Sequence, residues 1–166
     1  MATTERIDAA LHGVTRHGGG DRLPRHRHAQ GYAALVLAGG YVEAGDSGRW
    51  LARPGTVLIH GAHEAHRDHF EPGRTIVLNL PLTGGLGAGA GMIDDVDAVV
   101  RAAERDPVAA AQLVSTGMRR GAQRLADWPD LLADALTDDP ALGLADWADR
   151  MGLAPASVSR GFARAY

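Results

Sequence analysis

Cysteine is absent from the 166 residues, which excludes disulfides and thiolate metal sites and leaves any metal to His, carboxylate or amide oxygen. Lysine is absent too, so all 17 positive side chains are Arg; with the richness in Ala and Gly this reflects genomic base composition and carries no functional weight. No apolar run approaches the ~18 residues that a membrane helix needs; the longest are Tyr32 to Ala38 and Thr75 to Leu80. The opening Met-Ala-Thr-Thr-Glu-Arg lacks the apolar stretch of a signal peptide, so the expected address is the cytoplasm. There is no polybasic arm either: residues 1–83 carry nine Arg against eight acids, and residues 84–166 eight Arg against twelve. No His occurs beyond His69, which confines imidazole chemistry to the first half.

What is present is a globular composition, 45% hydrophobic and 22% charged, at a length that suits one domain or one domain with an appendage. Short apolar stretches at roughly ten-residue spacing predict an all-β sandwich or barrel. The expected strands are Tyr32 to Leu37, Tyr41 to Ala44, Arg49 to Ala52, Thr56 to His60 and Thr75 to Leu80, with Gly39-Gly40, Gly45 to Gly48, Pro54-Gly55 and Pro72-Gly73 as turns. Gly84 to Gly91 reads as a glycine-rich linker. Its loose G-x-G-x-x-A spacing is set aside as a dinucleotide loop, because the sequence that follows is helical. Helices are then predicted through Ile93, Val96 and Val100; from Asp106-Pro107 to Met118; from Asp127-Trp128-Pro129 to Asp139; over Leu144 to Met151; and from Ala154-Pro155 onward. Asp94, Asp95 and Asp97 suit the start of the first of these.

The chemistry-bearing segment is Leu23-Pro24-Arg25-His26-Arg27-His28-Ala29-Gln30. At a strand period of two, His26, His28, Gln30 and Tyr32 share one face, and two imidazoles on one face can share a metal completed by a ligand from another strand. His60, His63, His66 and His69 recur every three residues, which suits neither one strand face nor the helical H-E-x-x-H of zinc proteases. His66 is the candidate third ligand, and His60, His63 and His69 are expected on loops or rims.

These two segments resemble the motifs of the cupin superfamily: a His-x-His pair and a later Gly, matched by His26, His28 and Gly40, then a Pro-Gly turn and a single His, matched by Pro54, Gly55 and His66. The family's Glu ligand falls on Ala33, so Gln30 is taken as a substitute oxygen. The resemblance implies a small jelly-roll barrel holding one divalent transition metal (Zn, Ni, Fe or Mn), or the same framework kept without metal. Tyr32 and Trp50 are the expected ligand-pocket residues, with Arg27 or Arg67 at the rim.

Near the C-terminus, Ala148, the turn at Gly152 and Val158 have the spacing of a helix-turn-helix, whose second helix enters the major groove. Ser157, Ser159, Arg160 and Arg164 lie off the Val158 and Phe162 stripe and are the candidate DNA contacts. Leu144 to Tyr166 resembles the first helix-turn-helix of AraC-type transcription regulators, in which a cupin-like sensor precedes linker helices and two such units. Ala154 stands where that family has a Ser or Thr cap, a loss of ~1 kcal/mol, and the second unit is not in this sequence. With net charge −3, weak DNA binding is expected.

The expectation is therefore β plus α: a cupin-type barrel over residues 1–83, a linker over 84–91, linker and dimerisation helices over 92–139, and an incomplete reading head over 140–166. It describes a ligand-responsive regulator rather than an enzyme, a homodimer with DNA and a small effector as partners and no membrane. The apolar stripe Ile93, Val96 and Val100 serves either dimerisation or packing on the barrel. The alternatives are a small metal-dependent cupin enzyme of dioxygenase or isomerase type, and a metal-free module that binds a sugar or small acid.

Overall fold

The computed structural model describes residues 5–6, 12–82 and 86–166. Its strands are β1 (Glu5–Arg6), β2 (Gly13–His17), β3 (Arg22–Arg27), β4 (Tyr32–Ala38), β5 (Tyr41–Gly45), β6 (Gly48–Ala52), β7 (Thr56–His60), β8 (Ala65–Phe70), β9 (Thr75–Pro81), β10 (Gly89–Met92) and β11 (Gln123–Arg124). The helices are α1 (Val96–Ala103), α2 (Pro107–Gly117), α3 (Trp128–Asp138), α4 (Leu144–Arg150) and α5 (Pro155–Ala165).

The antiparallel pairs nest: β2 with β9, β3 with β8, β4 with β7 and β5 with β6. A long hairpin folded over on itself gives this order, and the cross-pairs β4–β9 and β5–β8 close it into two sheets. Among the described residues those sheets run β1-β3-β8-β5-β6-β11 and β10-β7-β4-β9-β2. The nested pairing defines a double-sheet jelly roll.

The second sheet is covered on both faces, which explains why its strands read as apolar runs rather than as a clean alternation. Along β4, Tyr32, Ala34 and Val36 point between the sheets, where they meet Tyr41, Ala52 and Phe70. Ala33 and Leu35 point the other way, into a second cluster with Val57, Ile59, Leu78 and Leu80. That outer cluster is roofed by Ile93 and Val99 and by Ala110, Ala111 and Val114 of α2, with Val96 and Val100 packed against it. The stripe offered above for dimerisation or packing on the barrel thus packs on the barrel, with Ile93 buried and Val96 and Val100 partly buried. Local chemistry starts both helices: Asp95 Oδ1 accepts from Ala98 N at 2.8 Å, and Asp106 Oδ1 accepts from Val108 N at 2.9 Å with Pro107 in the first turn.

The glycine-rich segment is not a free linker throughout. Residues 83–85 lie outside the described residues, but Gly89 to Met92 pair antiparallel with Thr56 to Ile59 as an edge strand. Small side chains are needed there because Met118 lies over the strand, and a Cβ on Gly91 would come within 2.4 Å of its side chain. α3, read above with the linker helices, belongs to a different core: Leu132 packs with Trp147 and Ala148 of α4 and Val158 of α5, alongside Trp128 and Phe162. The divisions expected at 84–91 and at 139 therefore do not follow the cores, which part between α2 and α3.

Between α4 and α5 the chain turns at Gly152, whose φ of +66° is a left-handed conformation that favours glycine. No side chain caps α5 at Ala154. This three-helix unit rests on the first sheet through Arg49, paired with Asp127 at 3.4 Å and Asp130 at 3.6 Å, through Arg124 with Asp134 at 2.6 Å, and through Arg67 Nη1, which donates to the Ala163 carbonyl at 3.2 Å. Among the described residues no helix is long and apolar enough to cross a membrane.

Candidate metal centre

Register brings the site together. β3 pairs with β8 so that His26 lies opposite His66, while in the other sheet β4 pairs with β7 so that Tyr32 lies opposite His60. The two pairs meet across the interior: the His66 ring is 4.3 Å from His26 and 4.3 Å from His60, and Tyr32 Oη is 3.2 Å from His66 Nε2. His28, just beyond the end of β3, places its ring 5.5 Å from His66. All four imidazoles are buried, His66 to 1% exposure.

β5 and β8 add acid to the same interior. Glu43 lies opposite Asp68, and both are buried. Glu43 Oε2 comes within 3.4 Å of His60 Nε2. A cavity of about 320 Å³ reaches this cluster, with His26, His28, Tyr32, Glu43, Asp68 and Tyr41 in its wall.

Two overlapping groups of ligand atoms each fit within 4.8 Å: His26, His28 and His66, and Glu43, His60 and His66. Three details show that these groups suit a cation. His26 Nδ1 lies 2.8 Å from the Pro24 carbonyl, and because a carbonyl only accepts, Nδ1 carries the proton and Nε2 is left as the basic nitrogen. His66 Nδ1 and His60 Nε2 are buried without a hydrogen-bond partner, each costing about 1–3 kcal/mol that a cation would relieve. Burial, reinforced by the neighbouring imidazoles, also holds His66 well below the ordinary imidazole range and His60 at about 3, so both rings offer lone pairs at neutral pH.

The same burial works in the opposite direction on the acids. Asp68 is pushed up to about 7 by desolvation, and Glu43 is raised by desolvation and then by Asp68 and Glu64. Without a cation, then, burial disfavours the charged form of both members of the close His60 and Glu43 pair. A divalent ion would reverse this by drawing the protons off the carboxyls.

Of the expected site residues, His26, His28, His66 and Tyr32 converge here. Gln30 does not: β3 ends at Arg27, the strand parity that would have carried Gln30 inward is lost in the bend, and its side chain is exposed. Trp50 packs from β6 against the rim of the inner apolar cluster and does not line the cavity. His60 is no rim residue but ends β7 in the interior, whereas His63 is exposed in the turn at φ +65° and His69 is exposed on β8. Glu43 and Asp68 were missed. The alternation of buried Tyr41 and Glu43 along β5 is the one local sign of an inward acid.

On the helical side, Ser157, Ser159, Arg160 and Arg164 are exposed on α5. Arg164 lines a cleft between that helix and the first sheet, together with Arg22, Arg49 and Arg67.

No protein-family model matches the chain, and neither does any curated protein. Among solved structures it is similar to a cupin superfamily protein from Desulfitobacterium hafniense, with a TM-score of 0.37 and 23% identity over 40% of this chain and 60% of that one. It is also similar to KdgF from a Halomonas species, with a TM-score of 0.36 and 14% identity over 40% of this chain and 66% of that one. A third likeness is to a variant of oxalate decarboxylase from Bacillus subtilis, with a TM-score of 0.36 and 11% identity over 88% of this chain and 29% of that one. The chain spans less than two thirds of each of these proteins. At such scores the jelly-roll assignment rests on the nested strand pairing and not on these likenesses.

Proposed function

We propose that this chain is the sensing barrel and first DNA-reading unit of a transcription regulator of AraC type. The observation that carries the reading is the α4–turn–α5 hairpin docked on a barrel with a buried histidine site. Its inner side is occupied by Trp147, Ala148 and Val158, and its outer side presents Ser157, Ser159 and Arg160 to solvent. A helix held in this way can lay exposed Ser and Arg side chains along a major groove.

The barrel supplies the signal. His26, His28 and His66 would hold a divalent metal (Zn, Ni, Fe or Mn), and the cavity beside them has room for a small effector. When bound, such an ion supplies Lewis acidity and an anchoring charge for a ligand oxygen. His26 is oriented by the Pro24 carbonyl, and Tyr32 Oη faces His66 and so positions that ring. β8 then connects the two halves of the molecule, because His66 and Asp68 face the site while Arg67 between them holds the α5 backbone at Ala163. A shift of β8 on effector binding would therefore be felt at the reading helix.

The test is selection of duplexes from a random DNA library by the purified chain at low salt, where a unit with few phosphate contacts retains affinity. The expected result is one enriched motif whose preference is lost in Arg160→Ala while the variant melts like the parent. Failure to enrich any sequence overturns the regulator reading.

A second reading, a small metal-dependent cupin enzyme, is favoured by one observation: the His26, His28 and His66 group adjoins a ligand-sized cavity. Turnover of a small acid or sugar by the metal-loaded chain, without any DNA preference, would select it.

A further inference from the structure

The interior contains more metal-binding chemistry than one site uses. We infer that Glu43, His60 and His66 form a second cation position, separate from His26 and His28 and sharing His66 with them, the His66 ring giving up its N–H proton to solvent so that each of its nitrogens meets one cation. The three side chains come from β5, β7 and β8, so both sheets contribute, and a cation there would cross-link the sandwich.

Their ligand atoms lie within 4.8 Å of one another and all three residues are buried. Each of the two rings has a buried nitrogen without a hydrogen-bond partner, Nε2 in His60 and Nδ1 in His66. A buried polar atom without a partner is costly, and convergent orphaned nitrogens beside a carboxylate fit a cation better than they fit packing.

The donor set indicates which cation. Two imidazoles and one carboxylate suit Zn(II), Fe(II), Mn(II) or Ni(II), and exclude the all-oxygen preference of Ca(II) and Mg(II). Asp68, opposite Glu43 in the β5–β8 ladder and with a buried, unpartnered Oδ1, stands ready as a further oxygen or as the acceptor that orients a ligand. The carboxylate that the sequence motif lacks at Ala33 is thus supplied from a different strand, on the inner face rather than beneath the helices.

This inference shares His66 with the metal reading above, and stoichiometry separates the two. The purified chain, His28→Ala and Glu43→Gln are dialysed against Zn(II), and bound metal is measured by inductively coupled plasma mass spectrometry; Co(II) loading, followed by its visible absorption, reports the donor set independently. The expectation is about two equivalents in the parent and about one in each variant, with different Co(II) spectra for the two variants. One equivalent kept in His28→Ala and lost in Glu43→Gln also supports the inference and removes the first site instead. A parent that binds one equivalent, kept in Glu43→Gln, overturns the inference and leaves the first site standing; a parent that binds one equivalent, lost in both variants, shows one composite site and overturns it as well. No metal in the parent overturns both. Each variant's melting curve is recorded without metal, and His60→Gln replaces Glu43→Gln should the latter not fold.

Discussion

The barrel interior and the three-helix unit solve opposite problems. Between α3, α4 and α5 the buried cluster is apolar, Leu132, Trp147, Ala148 and Val158, and the charged and hydroxyl groups with chemical potential sit outside on α5. Inside the barrel, Tyr32, Ala34, Val36 and Phe70 share the space between the sheets with His26, His60, His66, Glu43 and Asp68, several of them with unsatisfied polar atoms. The helical unit is built to hold a surface steady. The barrel carries a cluster of buried titratable groups at a cost to stability, an arrangement that clusters at functional sites.

The largest test of this division is Leu132→Ala. Leu132 is fully buried in the small core, so the truncation should lower the stability of the helical unit by about 3 kcal/mol. Hydrogen exchange should show α3 to α5 opening while β3, β7 and β8 remain protected and zinc binding is kept. Loss of zinc along with the helices would show that the two regions form one cooperative unit.

A second test uses the opposed titrations in the barrel, measured as the melting temperature against pH in metal-free protein. His60 is lowered from 6.5 to about 3, so its contribution to stability is present above pH 6.5 and is lost as pH falls toward 3. Asp68 is raised from 3.8 to about 7, so its contribution is present below pH 3.8 and is lost as pH rises through 7. Between those limits the two slopes oppose each other and the parent should show a shallow profile. Asp68→Asn removes one acid's slope and leaves that of Glu43, so the variant should lose stability more steeply than the parent as pH drops below 6.5 and should weaken less than the parent as pH rises toward 7. Parallel profiles for parent and variant would show that the acid does not titrate in this window.

The smallest effect on stability belongs to Arg67→Ala, and it bears on the link between the two regions. The Arg67 contact with Ala163 is solvent-exposed, so its loss should cost under about 1 kcal/mol. Under the proposed regulator reading, zinc should change DNA affinity and that effect should shrink in the variant, because the contact joins the strand bearing His66 to α5; an unchanged zinc effect would remove β8 from the route.

Much of this molecule is legible along the chain. Thr56 to His60 was expected as a strand and is β7, and Asp106-Pro107 announced α2 because an Asx cap and a first-turn Pro act within four residues. His26 and His28 stood out because their spacing is local. Glu43, Asp68 and His60 did not, since nothing within ten residues of any of them says that β5 pairs with β8 or that β4 faces β7 in this register. Gly89 to Met92 misled for the same reason: a glycine run is a linker by composition and an edge strand only when Met118 and β7 are there to receive it.

By itself, the amino-acid order determined β4, β5, β6, β7 and β9, the turns between them, the helices, and the pair of imidazoles that open the site, because caps, turns and strand parity are interactions between near neighbours. Tertiary structure alone decided that the Ile93, Val96 and Val100 stripe roofs the barrel, that Gln30 and Trp50 stay outside the site, and that a glutamate from one strand and a histidine from another meet His66 in the interior. Those outcomes depend on sheet register and on which faces are buried, and both are set by contacts between residues far apart in the chain.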